Sequence, residues 1–298
     1  MSAQEAFGTV LTAMVTPFTA DGLKVDYDAA AQLASDLVDL GNNGLVINGT
    51  TGESATTDEH EKLELLKVVI DAVGNRAKVI AGAGSNDTAH SVLLAKDAEK
   101  AGAHGLLVVT PYYNKPPQAG ILAHFHAVAD AAELPVMVYD IPGRAGVPIN
   151  SETLIKLSEH PRILANKDAK GDPWSASQVM SKCDLAYYSG DDTLNLALLS
   201  LGAVGVVSVT GHVVADRNRQ IVEAVARNDV QAARAINNSL VPVVEGIMTR
   251  TQGAIMVKAA LEMLGRAGGG AMRLPLVVAT PEQREVLRAD LRAGGFNL

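Results

Sequence analysis

Lys167 closes the run Ile163-Leu164-Ala165-Asn166 and is followed by Asp168. A lysine at the end of a buried strand is desolvated, which disfavours its ammonium and lowers its pKa. An amine tuned in this way attacks a ketone and forms an iminium. The same position also suits a solvated lysine that opens a loop. Lys170, three residues on, is a second candidate, set in a polar Lys-Gly-Asp turn. Gly49-Thr50-Thr51-Gly52-Glu53 offers backbone N–H groups and two hydroxyls able to hold a carboxylate. No Gly-Lys-Ser/Thr follows it, so it is not a phosphate-binding P-loop. Taken alone, it is equally a turn with a helix cap. Tyr113 and Tyr139 stand at the ends of separate strands, where a phenol can relay protons or simply pack. Arg144 follows Pro142-Gly143, and a guanidinium there can clamp a carboxylate through two hydrogen bonds or lie on the surface.

Several other chemistries fit poorly. Of the seven histidines, His124 and His126 stand two apart on a predicted helix and face different ways, so a metal-free site is expected. Gly82-Ala83-Gly84 lacks the rest of a dinucleotide fingerprint. The single cysteine, Cys183, sits in Lys-Cys-Asp-Leu and reads as structural. It allows no intrachain disulfide, as suits a reducing compartment. The net charge of −8 and the lack of a basic run argue against a nucleic-acid partner. No apolar run approaches the ~18 residues of a membrane helix. Met1–Phe7 has neither a basic nor an apolar stretch of a signal peptide, so a cytoplasmic protein is expected.

These groups need a frame that brings them together. Short Val/Ile/Leu-rich runs occur at Thr9–Val15, Gly44–Asn48, Lys78–Ala81, Gly105–Val109, Pro135–Tyr139, Ile163–Lys167, Ala186–Ser189 and Gly205–Val209. They do not alternate with polar residues, as expected for strands buried on both faces of a parallel sheet. Helical patterns lie between them, among them Ala29–Leu40 and Glu59–Val73, the latter with Asp58 as N-cap and Glu61 three residues later. Gly41, Gly74, Gly102 and Gly202 stand where helices should close. Eight strand–helix repeats predict an α/β fold, a (β/α)8 TIM barrel, with an open doubly wound sheet as the alternative. The barrel is expected over 1–225. A C-terminal helical extension is expected over 226–298, with helices near Asn228–Ile247, Gly253–Leu264 and Pro281–Ala293. A barrel places its site at the C-terminal ends of the strands, and the polar segments that carry Thr50, Tyr113, Arg144 and Lys167 fall at those ends.

Five segments in register, Gly49-Thr50-Thr51-Gly52-Glu53, Pro111-Tyr112-Tyr113-Asn114, Tyr139-Asp140-Ile141-Pro142-Gly143-Arg144, Lys167-Asp168-Ala169 and Ser189-Gly190-Asp191-Asp192, resemble the dihydrodipicolinate synthase family. That family lies in the N-acetylneuraminate lyase superfamily of pyruvate-dependent class I aldolases. The resemblance runs from Gly8 to the last helix. It implies that Lys167 forms a Schiff base with pyruvate and that Thr50 and Thr51 hold the pyruvate carboxylate. Tyr139 and Thr50 would relay protons, with Tyr113 reaching in from a neighbouring subunit. Arg144 would clamp L-aspartate 4-semialdehyde, Val207 would turn a backbone carbonyl toward Lys167, and Gly190 would fall among the substrate-binding positions. The product would be 4-hydroxy-tetrahydrodipicolinate, on the route to diaminopimelate and lysine. No external cofactor is implied, and the assembly would be a homotetramer of two tight dimers. Asn166 departs from the family pattern, where an aliphatic residue is usual. Lys62 and His90 replace residues that resemble the lysine pocket of feedback-inhibited members, which implies weak or absent inhibition by L-lysine. A sugar-acid aldolase of the same superfamily would share Lys167 and the threonine turn but lack Arg144. A non-catalytic pyruvate-binding regulator would not need Lys167, Tyr139 and Tyr113 together.

Overall fold

The structure, a computed structural model, describes residues 1–298. Eight parallel strands close into a barrel in sequence order: β1 (Val10–Ala13), β2 (Gly44–Ile47), β3 (Lys78–Gly82), β4 (Gly105–Val109), β5 (Val136–Asp140), β6 (Ile163–Asp168), β7 (Ala186–Ser189) and β8 (Gly205–Ser208). β1 pairs with both β2 and β8, which settles the choice between a barrel and an open sheet. The strands are shorter than the apolar runs at several ends: β1 stops at Ala13, although Met14 and Val15 are buried and Met14 N still donates to Val46 O at 3.0 Å.

Alternation of side chains divides the core in two. Leu11, Val46, Ile80, Leu107, Met137, Tyr139, Ala165, Tyr188 and Val207 fill the barrel. A larger cluster lies between the barrel and the surrounding helices. In β6 the inward set contains Ala165 and, two residues on, Lys167, so Asn166 and Asp168 belong to the outward set. The helix Ala3–Phe7 closes the barrel floor: Phe7 is fully buried against Tyr188, whose hydroxyl donates to Gly8 O at 2.8 Å. Gly205 opens β8 beside this plug, where a Cβ would meet Thr9 O at 2.3 Å. Only glycine fits there.

The helices begin as their caps dictate. Asp58 and Glu61 form a capping box for Glu59–Val73, and Thr280 with Gln283 does the same for Pro281–Ala293. Gly41, Gly102 and Gly202 adopt left-handed conformations after helices, whereas Gly74 stays right-handed. The stretch read as one helix over Asn228–Ile247 is instead Val230–Val244 followed by a π-helical turn, Glu245–Thr249. Pro242, which lacks an N–H, stands just before the change. No helix is long and apolar enough to cross a membrane, and Cys183 only donates weakly to Val179 O at 3.6 Å.

Candidate active site

The strand register lines up the chemistry. Tyr139 on β5 pairs with Lys167 on β6, which pairs in turn with Tyr188 on β7. Lys167 is only 5% exposed, and its Nζ lies 4.0 Å from the centre of the Tyr139 ring. Gly190 forms the neighbouring wall: a Cβ there would stand 2.7 Å from Lys167 Cγ and 2.9 Å from Cε, so a glycine leaves the lysine its channel. Val207 is buried inside the barrel with these groups.

Electrostatics then tune the amine. Burial pulls the Lys167 pKa down to about 8, Asp192 opposes the shift, and the positive charge of Arg144 adds to it. At pH 7 roughly one amine in ten is then neutral, against about one in three thousand at the usual lysine value. Burial likewise pushes the Tyr139 phenol up to about 12, with Arg144 opposing, Asp191 adding to the rise and the Thr50 hydroxyl opposing. Tyr139 is therefore a protonated donor at neutral pH. Asp192 is itself held rigidly: its carboxylate accepts from Ser208 Oγ, from Val209 N at 2.8 Å, from Thr210 N at 3.0 Å and from Asn195 Nδ2 at 3.1 Å.

Thr50 and Thr51 stand in a tight turn after β2. Gly52 N donates to Gly49 O at 3.0 Å, Glu53 N to Thr50 O at 3.2 Å, and Thr16 Oγ1 to Gly52 O at 2.6 Å. Arg144 lies on the short helix Pro142–Ala145. Arg144, Thr50, Tyr112 and Tyr113 line one cavity of about 360 Å³, together with Lys62 and His90. His90 Nε2 lies 3.4 Å from Glu59 Oε1. Lys167, Tyr139, Thr50, Gly190 and the charge of Arg144 thus converge. Tyr113 shares the cavity with Thr50 and Arg144 but lies 88% exposed, in a left-handed conformation at φ 73°.

The model of the dihydrodipicolinate synthetase family matches residues 6–294. The chain belongs to that family. It is 60% identical to 4-hydroxy-tetrahydrodipicolinate synthase 2 of Streptomyces coelicolor over 295 residues, covering 99% of this chain and 98% of that protein. It is also 60% identical to the 4-hydroxy-tetrahydrodipicolinate synthase of Kineococcus radiotolerans, covering 97% of this chain and 94% of that protein. Among solved structures, the dihydrodipicolinate synthase of Cyanidioschyzon merolae with lysine bound superposes with a TM-score of 0.94 at 43% identity, covering 97% and 99% of the two chains.

Within this dihydrodipicolinate synthetase family member, the structure also separates the two lysines that sequence left in competition. Lys170 Nζ is engaged by Asp140 Oδ2 at 3.1 Å, Ile149 O at 2.7 Å and Ser175 Oγ at 3.2 Å. It is a structural cation. Asn166 is fully buried opposite Tyr187 on β7, on the outward face of β6. Sequence reasoning passed over Asp192 as a charge partner of Lys167, because its donors come from the next strand end. It also missed Lys258 altogether, although a lone lysine amid Ala254, Ile255, Met256, Val257, Ala259, Ala260 and Leu261 is a signal in itself. No three His, Cys, Asp or Glu side chains gather as a metal site.

The depressed pKa makes a prediction. Competitive labelling of the free protein with acetic anhydride, read by mass spectrometry across pH, should show Lys167 reactivity rising to a plateau with a midpoint near 8. Only the neutral amine reacts, so reactivity rises with pH through the folded-state pKa. A midpoint above about 10, the range of an exposed lysine, would contradict the desolvated site.

Proposed function

We propose that this chain condenses pyruvate with L-aspartate 4-semialdehyde through an imine on Lys167, giving 4-hydroxy-tetrahydrodipicolinate. The observation that carries the reading is the buried, unpaired amine of Lys167, set over the Tyr139 ring beside a Thr-Thr turn. The 4-hydroxy-tetrahydrodipicolinate synthases at 60% identity support the choice of substrates. In this reading the neutral amine attacks the pyruvate ketone. Water leaves from the carbinolamine, with Tyr139 and Thr50 passing the protons. The iminium draws electrons from the pyruvate methyl, which gives up a proton to form an enamine. The enamine carbon bonds to the aldehyde carbon of the semialdehyde, whose oxygen becomes a hydroxyl. The amine of the semialdehyde then attacks the iminium carbon, closes the ring and releases Lys167. Every electron pair comes from the two substrates and the lysine, so the scheme uses no external cofactor.

Thr50 and Thr51 hold the pyruvate carboxylate in this scheme, Gly190 and the Val207 carbonyl border it, and Arg144 receives the carboxylate of the semialdehyde. The site belongs to the barrel, 1–225, and the helical region 226–298 braces it from outside. We infer further that the working assembly is a homotetramer of two tight dimers, in which the exposed Tyr113 completes the proton relay of a neighbouring chain. Its exposure and left-handed backbone support this, because such a conformation costs of order 1–3 kcal/mol and persists where surroundings enforce it.

Two experiments test the reading. In an assay that follows both substrates, Arg144→Ala should lower kcat/KM for the semialdehyde by roughly thirtyfold, equivalent to about 2 kcal/mol for a lost charge-assisted contact. Imine formation with pyruvate should change little; equal damage to both steps would make Arg144 a structural residue. For Tyr113, an inactive Lys167→Ala protein mixed with an inactive Tyr113→Phe protein should regain activity as subunits exchange. Exchange without recovery would place Tyr113 in its own chain's service.

A further inference from the structure

A second buried lysine lies behind the threonine turn. Lys258, on the helix Gly253–Met263, donates to Glu53 Oε1 at 2.6 Å and to Ala271 O at 2.8 Å, and both side chains of this ion pair are 1% exposed. The other Glu53 oxygen accepts from Arg273 N at 3.0 Å. Arg273 continues the network outward: its guanidinium takes both oxygens of Glu61 at 2.6 Å and donates to Gly22 O, Thr56 O and Leu23 O. Both cations lie against Phe18, with Lys258 Nζ and Arg273 Cζ each 4.4 Å from its ring centre. Glu53 is the last residue of the Gly49–Glu53 turn and is held at φ 55°, a left-handed conformation that a non-glycine residue adopts only when its surroundings insist. Its backbone N–H closes the turn onto Thr50 O. The side chain of Glu53 therefore anchors the same residue whose strained backbone sets the orientation of Thr50 and Thr51.

We propose that the Glu53–Lys258 pair is a positioning device, through which the docked C-terminal region sets the geometry of the Thr50-Thr51 turn and hence the affinity for pyruvate. The proposal rests on the reading that these threonines hold the pyruvate carboxylate. Lys258 and Glu53 touch no substrate in this scheme; they act through the turn. Replacing the lysine frees the turn at one end and leaves a carboxylate buried without its cation, so loss of stability and loss of position must be told apart. The full-length protein is assayed for the pyruvate concentration that half-saturates imine formation, for kcat at saturation, and for melting temperature. Lys258→Met should raise the half-saturating pyruvate about tenfold, as small displacements of a binding group do, while kcat at saturation stays within about threefold. In Lys258→Met/Glu53→Gln, with no unpaired charge left, the melting temperature should largely recover while the pyruvate requirement stays high. A half-saturation within about twofold of the unsubstituted protein, or one that recovers in step with the melting temperature, overturns the proposal. If Lys258→Met does not fold, Glu53→Gln alone decides: a raised pyruvate requirement supports the device and an unchanged one overturns it. Failure of the unsubstituted protein to saturate with pyruvate at all would instead strike at Thr50, Thr51 and Lys167, and would take the proposal with it.

Discussion

The desolvation of one amine governs the site. Three lysines of this chain are largely withdrawn from water, and two of them have a carboxylate: Asp140 for Lys170 and Glu53 for Lys258. Lys167 has none in contact. Its neighbours are the Tyr139 ring and, farther off, the fixed negative charge of Asp192. A carboxylate in contact favours the ammonium form, as Glu53 does for Lys258 against the stronger pull of burial. An amine with no charge nearby would have been expensive to bury in either form. The arrangement sits between those limits, so burial brings the amine down to about 8 while a cation formed there would still meet the negative field of Asp192.

The barrel makes that balance possible. Inward side chains from adjacent strands share a level, so Tyr139, Lys167 and Tyr188 come together through register alone. The outward level of the same strands holds Asp140, Asn166, Asp168 and Tyr187, a second polar layer in which burial raises the pKa of both carboxyls and the phenol. Lys170 reaches back into that layer and holds it closed. Two lysines three residues apart thus meet opposite surroundings, one without an ion partner inside the barrel and one paired with Asp140 outside it.

Much of this could be read from the chain. β4 and β7 match their apolar runs residue for residue, and Glu59–Val73 matches its cap signal, because these features depend on local pattern. The polar segments after the strands pointed to the mouth because barrel topology puts them there. What stayed hidden depends on partners far away in sequence. The Glu53–Lys258 bridge spans 205 positions, and no local pattern distinguishes a buried paired lysine from a buried reactive one. The same limit explains why Lys170 remained in competition: its answer lies in Asp140, on a different strand. Tyr113 is the converse case, since its exposure becomes informative only once the folded surface is known.

The central claim is that Lys167, the buried lysine without an ion partner, is the one that forms the imine. Incubation with pyruvate and borohydride, followed by intact-mass measurement and peptide mapping, tests it directly. The account predicts one reduced pyruvyl group per chain, on Lys167. A label on Lys170 or Lys258, or no label at all, would contradict it.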